Sequence, residues 1–96
     1  MLERIKKVMR IGHTVLDSEI TKYIETARAE LVRAGVDEEK AASESDALIT
    51  DAIIAFVCMK LSVGKDAIYK AYAESFEYQL DNLRKSDGYK AVSADV

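Results

Sequence analysis

Few side chains in this 96-residue chain could do metal or nucleophilic chemistry. His13 is the only histidine, and Asp17 follows it at a spacing that could hold a cation weakly. Protein zinc sites use three or four protein ligands, so this pair predicts no closed metal site. Cys58 is the only cysteine and lies in the most apolar stretch, where burial disfavours the reactive thiolate. We therefore predict an inert core cysteine, and expect no metal and no cofactor.

A cluster of acidic residues near the end of the chain could in principle serve acid–base chemistry, but basic residues flank it. The acids are Glu74, Glu77 and Asp81, and the bases are Lys70, Arg84 and Lys85. Most of these residues are spaced so that oppositely charged side chains meet on one face of a helix. The pattern predicts a solvated, ion-paired surface.

Aromatic residues in the same region lie at helical spacing and could form a stacking platform. Tyr69, Tyr72 and Phe76 share their face with aliphatic residues, however. Those aliphatic residues are Ile68, Leu80 and Leu83. Aromatic side chains on such a stripe favour core packing over ligand stacking.

Four basic residues near the start, Arg4, Lys6, Lys7 and Arg10, could meet phosphate, an acidic partner or the acidic remainder of the molecule. No aromatic residues are interleaved with them, and no Walker loop, dinucleotide fingerprint or nucleophile elbow occurs in the chain. Sequence-specific DNA binding is not favoured by this pattern. We do not expect an enzyme.

The stretch DALITDAIIAFVCMKLS, residues 46–62, is predicted to organise the fold. Every residue from 52 to 59 is apolar, and no continuous polar stripe appears when the stretch is placed on a helix. A helix of this kind must be covered on most sides, by other helices of the chain or by a neighbouring subunit. It is too short to cross a membrane, which takes about 20 apolar residues.

Composition favours an all-α domain. The chain has no proline, four glycines and 49% hydrophobic residues, which suits helices better than strands and turns. Its net charge of −3 and its pI of about 5.1 argue against nonspecific binding to nucleic acid or an anionic membrane.

We predict a small antiparallel bundle of about four helices around the central apolar one. The other three cover residues 2–10, 17–34 and 67–85, and residues 36–45 form a surface loop with room for a helical turn. Residues 1–85 then make a single helical domain and residues 86–96 a flexible tail. Tyr89 and Val92 of that tail are expected to dock on a partner.

Three segments carry a resemblance to a known family. They are ETARAELVRAGV, DALITDAIIAFVCMKLSVGKDA and YAESFEYQLDNL. Together with the acidic loop between the first two, they resemble the small head–tail connector, or DNA-packaging, proteins of tailed bacteriophages and prophages. The resemblance spans residues 1–83, and it departs from the family at Met59, Leu61 and Val63, where related sequences often carry aromatic residues.

The resemblance implies a structural virion protein at the head–tail junction, present in the host bacterial cytoplasm before assembly. Such proteins form a ring on the portal protein, receive the next head-completion or tail protein, and let DNA pass without sequence-specific binding. Ile53 and Val57, with Tyr89 and Val92 of the tail, are the expected interface residues, and no membrane is expected as partner. Arg4, Lys6, Lys7 and Arg10 form the expected basic patch facing a partner.

A small dimeric helical regulatory protein, such as a transcription factor or an antitoxin-like protein, is the alternative. It needs a basic helix facing DNA, whereas the predicted fourth helix is close to neutral or acidic and only the first ten residues supply a dense group of positive charges.

Overall fold

Five helices form in the computed structural model of the chain, which describes residues 1–90. They are α1 (Leu2–Met9), α2 (Asp17–Arg33), α3 (Glu38–Ala41), α4 (Ala47–Leu61) and α5 (Asp66–Lys85). The predicted all-α fold is confirmed. The short α3 is the helical turn for which the loop at residues 36–45 had room.

Helix α4 lies at the centre, as predicted, and this chain's own helices cover it. It packs against α2 and α5, while α1 contacts both α4 and α2. Its exposed residues, Ala47, Leu48 and Asp51, are confined to its first turns. Asp46 begins the helix, since its carboxylate accepts the backbone N–H groups of Leu48 and Ile49. The helix therefore needs no partner subunit to bury its core-facing residues.

Helices α1 and α2 end in the same way, although their closing residues differ. Gly35 closes α2 with a φ of 109°, and the Val36 N–H donates to the Leu31 carbonyl at 3.0 Å. Arg10 closes α1 with a φ of 57°, a left-handed conformation that glycine adopts at much lower cost.

The core contains fifteen mostly aliphatic side chains, drawn from all five helices and from Val36 between α2 and α3. Phe56 of α4 meets Phe76 of α5 edge to face, with ring centroids 5.1 Å apart. At the other side, Ile20 and Leu31 of α2 are completely buried. In the described residues no helix has the length and apolarity that a bilayer crossing requires.

Residues after α5 return along the bundle. Val36 and Lys90 form an isolated antiparallel bridge, and the Asp37 N–H donates to the Tyr89 carbonyl at 2.7 Å. The Tyr89 hydroxyl donates to the Asp46 carboxylate, with its oxygen 2.9 Å from Oδ2. Helix α5 ends at the predicted boundary of the helical domain, and the flexible tail over residues 86–96 stays a prediction.

Candidate functional site

The side chains considered for metal and nucleophilic chemistry do not converge. Asp17 is paired with Lys6, whose Nζ lies 2.8 Å from Oδ1, while His13 is exposed. Within residues 1–90 no group of three or more His, Cys, Asp and Glu side chains could hold a metal ion. Cys58 is fully buried, and burial raises the pKa of its thiol more than the hydrogen bond with Tyr72 lowers it. The thiol is therefore poorly suited to act as a nucleophile.

The acidic cluster of α5 is an ion-paired surface. Asp81 lies 2.8 Å from the Lys85 ammonium and 2.7 Å from the Arg84 guanidinium. These two hydrogen-bonded cations, Lys85 first, hold the pKa of the Asp81 carboxyl below its ordinary value. A carboxylate kept ionised by exposed neighbours is not a general acid at neutral pH.

The aromatic stripe of α5 is divided between core and surface. Phe76 is 6% exposed and Tyr72 is half-buried, as core packing predicted. Ile68 and Tyr69, one helical turn or more before them, remain 49% and 37% exposed. The core stripe of α5 thus continues beyond the part of the bundle that covers it.

The basic patch is less uniform than its sequence suggests. Lys6, one of the four residues expected to face a partner, pairs with Asp17 and leaves only 10% of its side chain exposed. Arg4 is half-exposed and reaches across to Thr50 and Asp51 of α4. Lys7 and Arg10 are exposed. Three of the four residues therefore keep a surface that a partner could reach.

The residues expected at the subunit interface lie in different surroundings. Ile53 and Val57 have no accessible surface, because α4 is enclosed by this chain. Tyr89 is half-buried against Asp46, and Val92 lies outside the described residues. The role of these four residues in assembly stays a prediction. A charged residue at position 57 is expected to unfold the core, so it cannot serve as a test of assembly.

Two apolar surfaces that the sequence did not single out lie at opposite ends of the α4–α5 hairpin. The first, which we call the hairpin tip, consists of Val63, Ile68 and Tyr69, and Val63 is 72% exposed. Gly64 closes the turn with a φ of 93°. The basic residues Lys60 and Lys65 flank the tip. With Ile68 49% and Tyr69 37% exposed as well, the described chain leaves much of the tip uncovered.

The second surface, which we call the α4–α5 groove, has a volume of about 280 Å³. Its lining includes Leu48 and Asp51 from α4, Tyr78 and Asn82 from α5, and Tyr89 from the returning segment. Leu48 is 56% exposed and Tyr78 is 71% exposed. One feature of the sequence could have indicated this groove. Tyr78 lies outside the apolar face of α5, so its aromatic ring cannot pack into the core of the chain.

Comparison with known proteins identifies a family. A family model described as "Phage connector protein" matches residues 1–86. Neither the curated proteins nor the solved structures contain a significant match. The family is a structural one, its members are virion components, and it implies interaction with portal and tail proteins. The match covers α1 to α5 in full, and on this ground the chain belongs to the phage connector protein family.

Proposed function

We propose that the protein is a head–tail connector subunit that assembles as a homo-oligomeric ring on the portal. In that position it would help to complete the head, to retain the packaged DNA and to attach the tail. The family match over residues 1–86 carries this proposal.

The exposed apolar side chains support an assembling protein. Val63, Leu48 and Tyr78 each expose more than half of their surface, although the domain already buries a core of its own. Contiguous exposed apolar patches on small soluble domains commonly mark sites of protein contact. The hairpin tip and the α4–α5 groove are separate, so one subunit could contact two neighbours at once.

The charges support passage of DNA without tight or sequence-specific binding. The chain carries a net charge of −3, and two of its N-terminal basic residues are engaged by acids of the same chain, Lys6 by Asp17 and Arg4 by Asp51. An acidic protein wall repels phosphate and does not hold it. The remaining exposed basic residues, Lys7 and Arg10, are proposed with Arg4 to face an acidic protein neighbour.

The proposal also includes a non-catalytic role, a stage in the host cytoplasm before assembly, and a portal protein and a head-completion or tail protein as neighbours. Tyr89 and Val92 are retained as proposed contacts of the C-terminal segment with a neighbour in the assembled ring.

Light scattering across a concentration series, alone and with the portal protein of the same phage, tests this function. A closed oligomer, or a monomer that joins the portal in a complex of several copies, is the expected result. A dimer that does not bind the portal, and that retards a short DNA duplex in a gel in a salt-sensitive manner, would favour the regulatory alternative.

A further inference from the structure

We propose that the hairpin tip of one copy seats in the α4–α5 groove of the next copy. The proposal rests on the ring assembly above and names the two surfaces that would meet. Its occupant is a second copy of this chain, presenting Val63, Ile68 and Tyr69.

The first argument comes from symmetry. The tip lies where α4 ends and α5 begins, whereas the groove lies where α4 begins and α5 ends. Val63 and Asn82 are therefore separated by most of α5, which is about 30 Å long at 1.5 Å per residue. A contact between two different patches of the same chain is head-to-tail, and head-to-tail contacts generate rings when the rotation closes. A contact that used one patch on both copies would stop at a dimer.

The second argument comes from charge. The chain around the tip, residues 60–70, carries Lys60, Lys65 and Lys70 against a single acid, Asp66. The chain that enters α4 beside the groove, residues 44–51, carries three acids and no base, namely Glu44, Asp46 and Asp51. The α5 side of the groove, residues 78–90, is close to neutral, with the acids Asp81 and Asp87 and the bases Arg84, Lys85 and Lys90. Opposite charges around the two apolar patches favour contact of a tip with a groove and disfavour contact of two tips or of two grooves.

The pairings within the subunit leave this complementarity in place. Arg28 lies 3.7 Å from Glu44, whose side chain is 72% exposed, and Arg4 lies 3.5 Å from Asp51, with both side chains about half-exposed. Exposed ion pairs at such distances are weak and exchange partners readily. Asp46 accepts hydrogen bonds from a neutral tyrosine hydroxyl and from backbone N–H groups, so it keeps its negative charge.

The third argument concerns shape. The tip is built on a short connection, residues 62–65 between α4 and α5, in which Gly64 has a left-handed conformation. Val63 is thereby placed at an outer corner with 72% of its surface exposed. The groove presents aliphatic and aromatic surface from Leu48 and Tyr78 to receive such a side chain.

Cysteine cross-linking in the assembled ring tests the contact. Val63→Cys and Asn82→Cys place one thiol on the tip and one in the groove, both at exposed positions. Cys58 is buried and contributes little background. Oxidation of a ring assembled from a mixture of the two variants is expected to give a covalent dimer. Rings of either variant alone, and rings that mix Val63→Cys with Ala29→Cys on the exposed side of α2, are expected to give none.

Three results would contradict the proposed contact between the tip and the groove. A covalent dimer in rings of Val63→Cys alone would indicate a tip-to-tip contact. Rings that form normally but yield no Val63–Asn82 cross-link would refute the tip-in-groove contact and leave the connector function standing. Failure to form an oligomer, either alone or with the portal protein, would refute both.

A charge substitution gives an independent measure. Val63→Asp adds an unpaired charge to a surface that the contact must desolvate, and it is expected to raise the dissociation constant for assembly at least about tenfold. Val15→Asp introduces the same charge at an exposed valine outside both surfaces, and it is expected to leave the dissociation constant unchanged. Equal effects of the two substitutions would contradict the proposal. Circular dichroism checks that both variants remain folded.

Discussion

Lys6 and Lys7 are neighbours in α1, yet their surroundings differ. The Lys6 ammonium is held 2.8 Å from Asp17 in a site that leaves only 10% of its side chain exposed. Lys7 is exposed. The sequence analysis expected both lysines in the basic patch that faces a partner, and the low exposure of Lys6 departs from that expectation. The chain that leaves α1 turns at Arg10 and brings Asp17 over the first helix, a long-range effect that local spacing does not encode.

Replacing Lys6 with alanine is expected to destabilise the protein by about 2 kcal/mol, because Asp17 would then be left partly buried without its partner. Lys7→Ala is the matched control and is expected to change the free energy of unfolding by less than about 0.5 kcal/mol. Urea denaturation followed by circular dichroism measures both. Similar values for the two variants would show that the Lys6–Asp17 pair contributes nothing to stability.

The Tyr89–Asp46 contact is expected to depend on pH at both extremes. The Tyr89 hydroxyl, and after it the backbone N–H groups of Ile49 and Leu48, hold the pKa of Asp46 below its ordinary value. The stabilisation is therefore present above that ordinary value and is lost as the pH falls through the lowered pKa. Asp46 in turn raises the pKa of Tyr89, so the contact is also lost as the pH rises through that raised pKa.

An NMR titration of the Asp46 carboxyl in the native protein and in Tyr89→Phe measures this coupling. Removal of the hydroxyl is expected to move the Asp46 pKa upward, toward its ordinary value. Tyr78→Phe removes a hydroxyl from an exposed tyrosine and serves as the control. An identical Asp46 pKa in all three proteins would mean that the hydroxyl does not reach the carboxylate in solution.

At the scale of the helices, the unbroken apolar run of α4 was the strongest signal in the sequence, and it correctly predicted a central, enclosed helix. The groove and the tip were not predictable in the same way. Ile68 lies on the same stripe as Phe76, and only the ends of the neighbouring helices decide that one is exposed and the other buried. The sequence pattern predicts which face of a helix is apolar. How much of that face is buried depends on how the helices pack against one another.

Ile53 and Leu48 of α4 offer a direct test of this distinction. Ile53→Ala creates a cavity in the core and is expected to cost about 3 kcal/mol of stability. Leu48→Ala, at a position 56% exposed on the same helix, is expected to cost less than about 1 kcal/mol but to weaken assembly through the groove. Thermal denaturation and light scattering separate the two effects. A variant of Ile53 with native stability and lost assembly would support the predicted role of that residue at the interface.

For the molecule as a whole, Cys58 provides an internal reporter of opening. The thiol is completely buried under α5, and α4 cannot expose it without losing its packing against that helix. Labelling by a small thiol reagent is therefore expected to be slow under native conditions and to follow the population of opened molecules as urea is added. Rapid labelling without denaturant would indicate that α5 detaches from the bundle on its own. Assembly is expected to slow the labelling further, since binding stabilises the folded subunit.

The bridge between Val36 and Lys90 also determines where the last residues of the chain leave the domain. That exit point lies beside the start of α4, at the groove end of the hairpin and not at its tip. In a closed ring of identical subunits, every chain would leave its domain at the same height along the ring axis. Labels fused after Val96 would then form a single ring of density in electron micrographs. The number of labels gives the number of subunits, and their position along the ring axis shows the polarity of the ring.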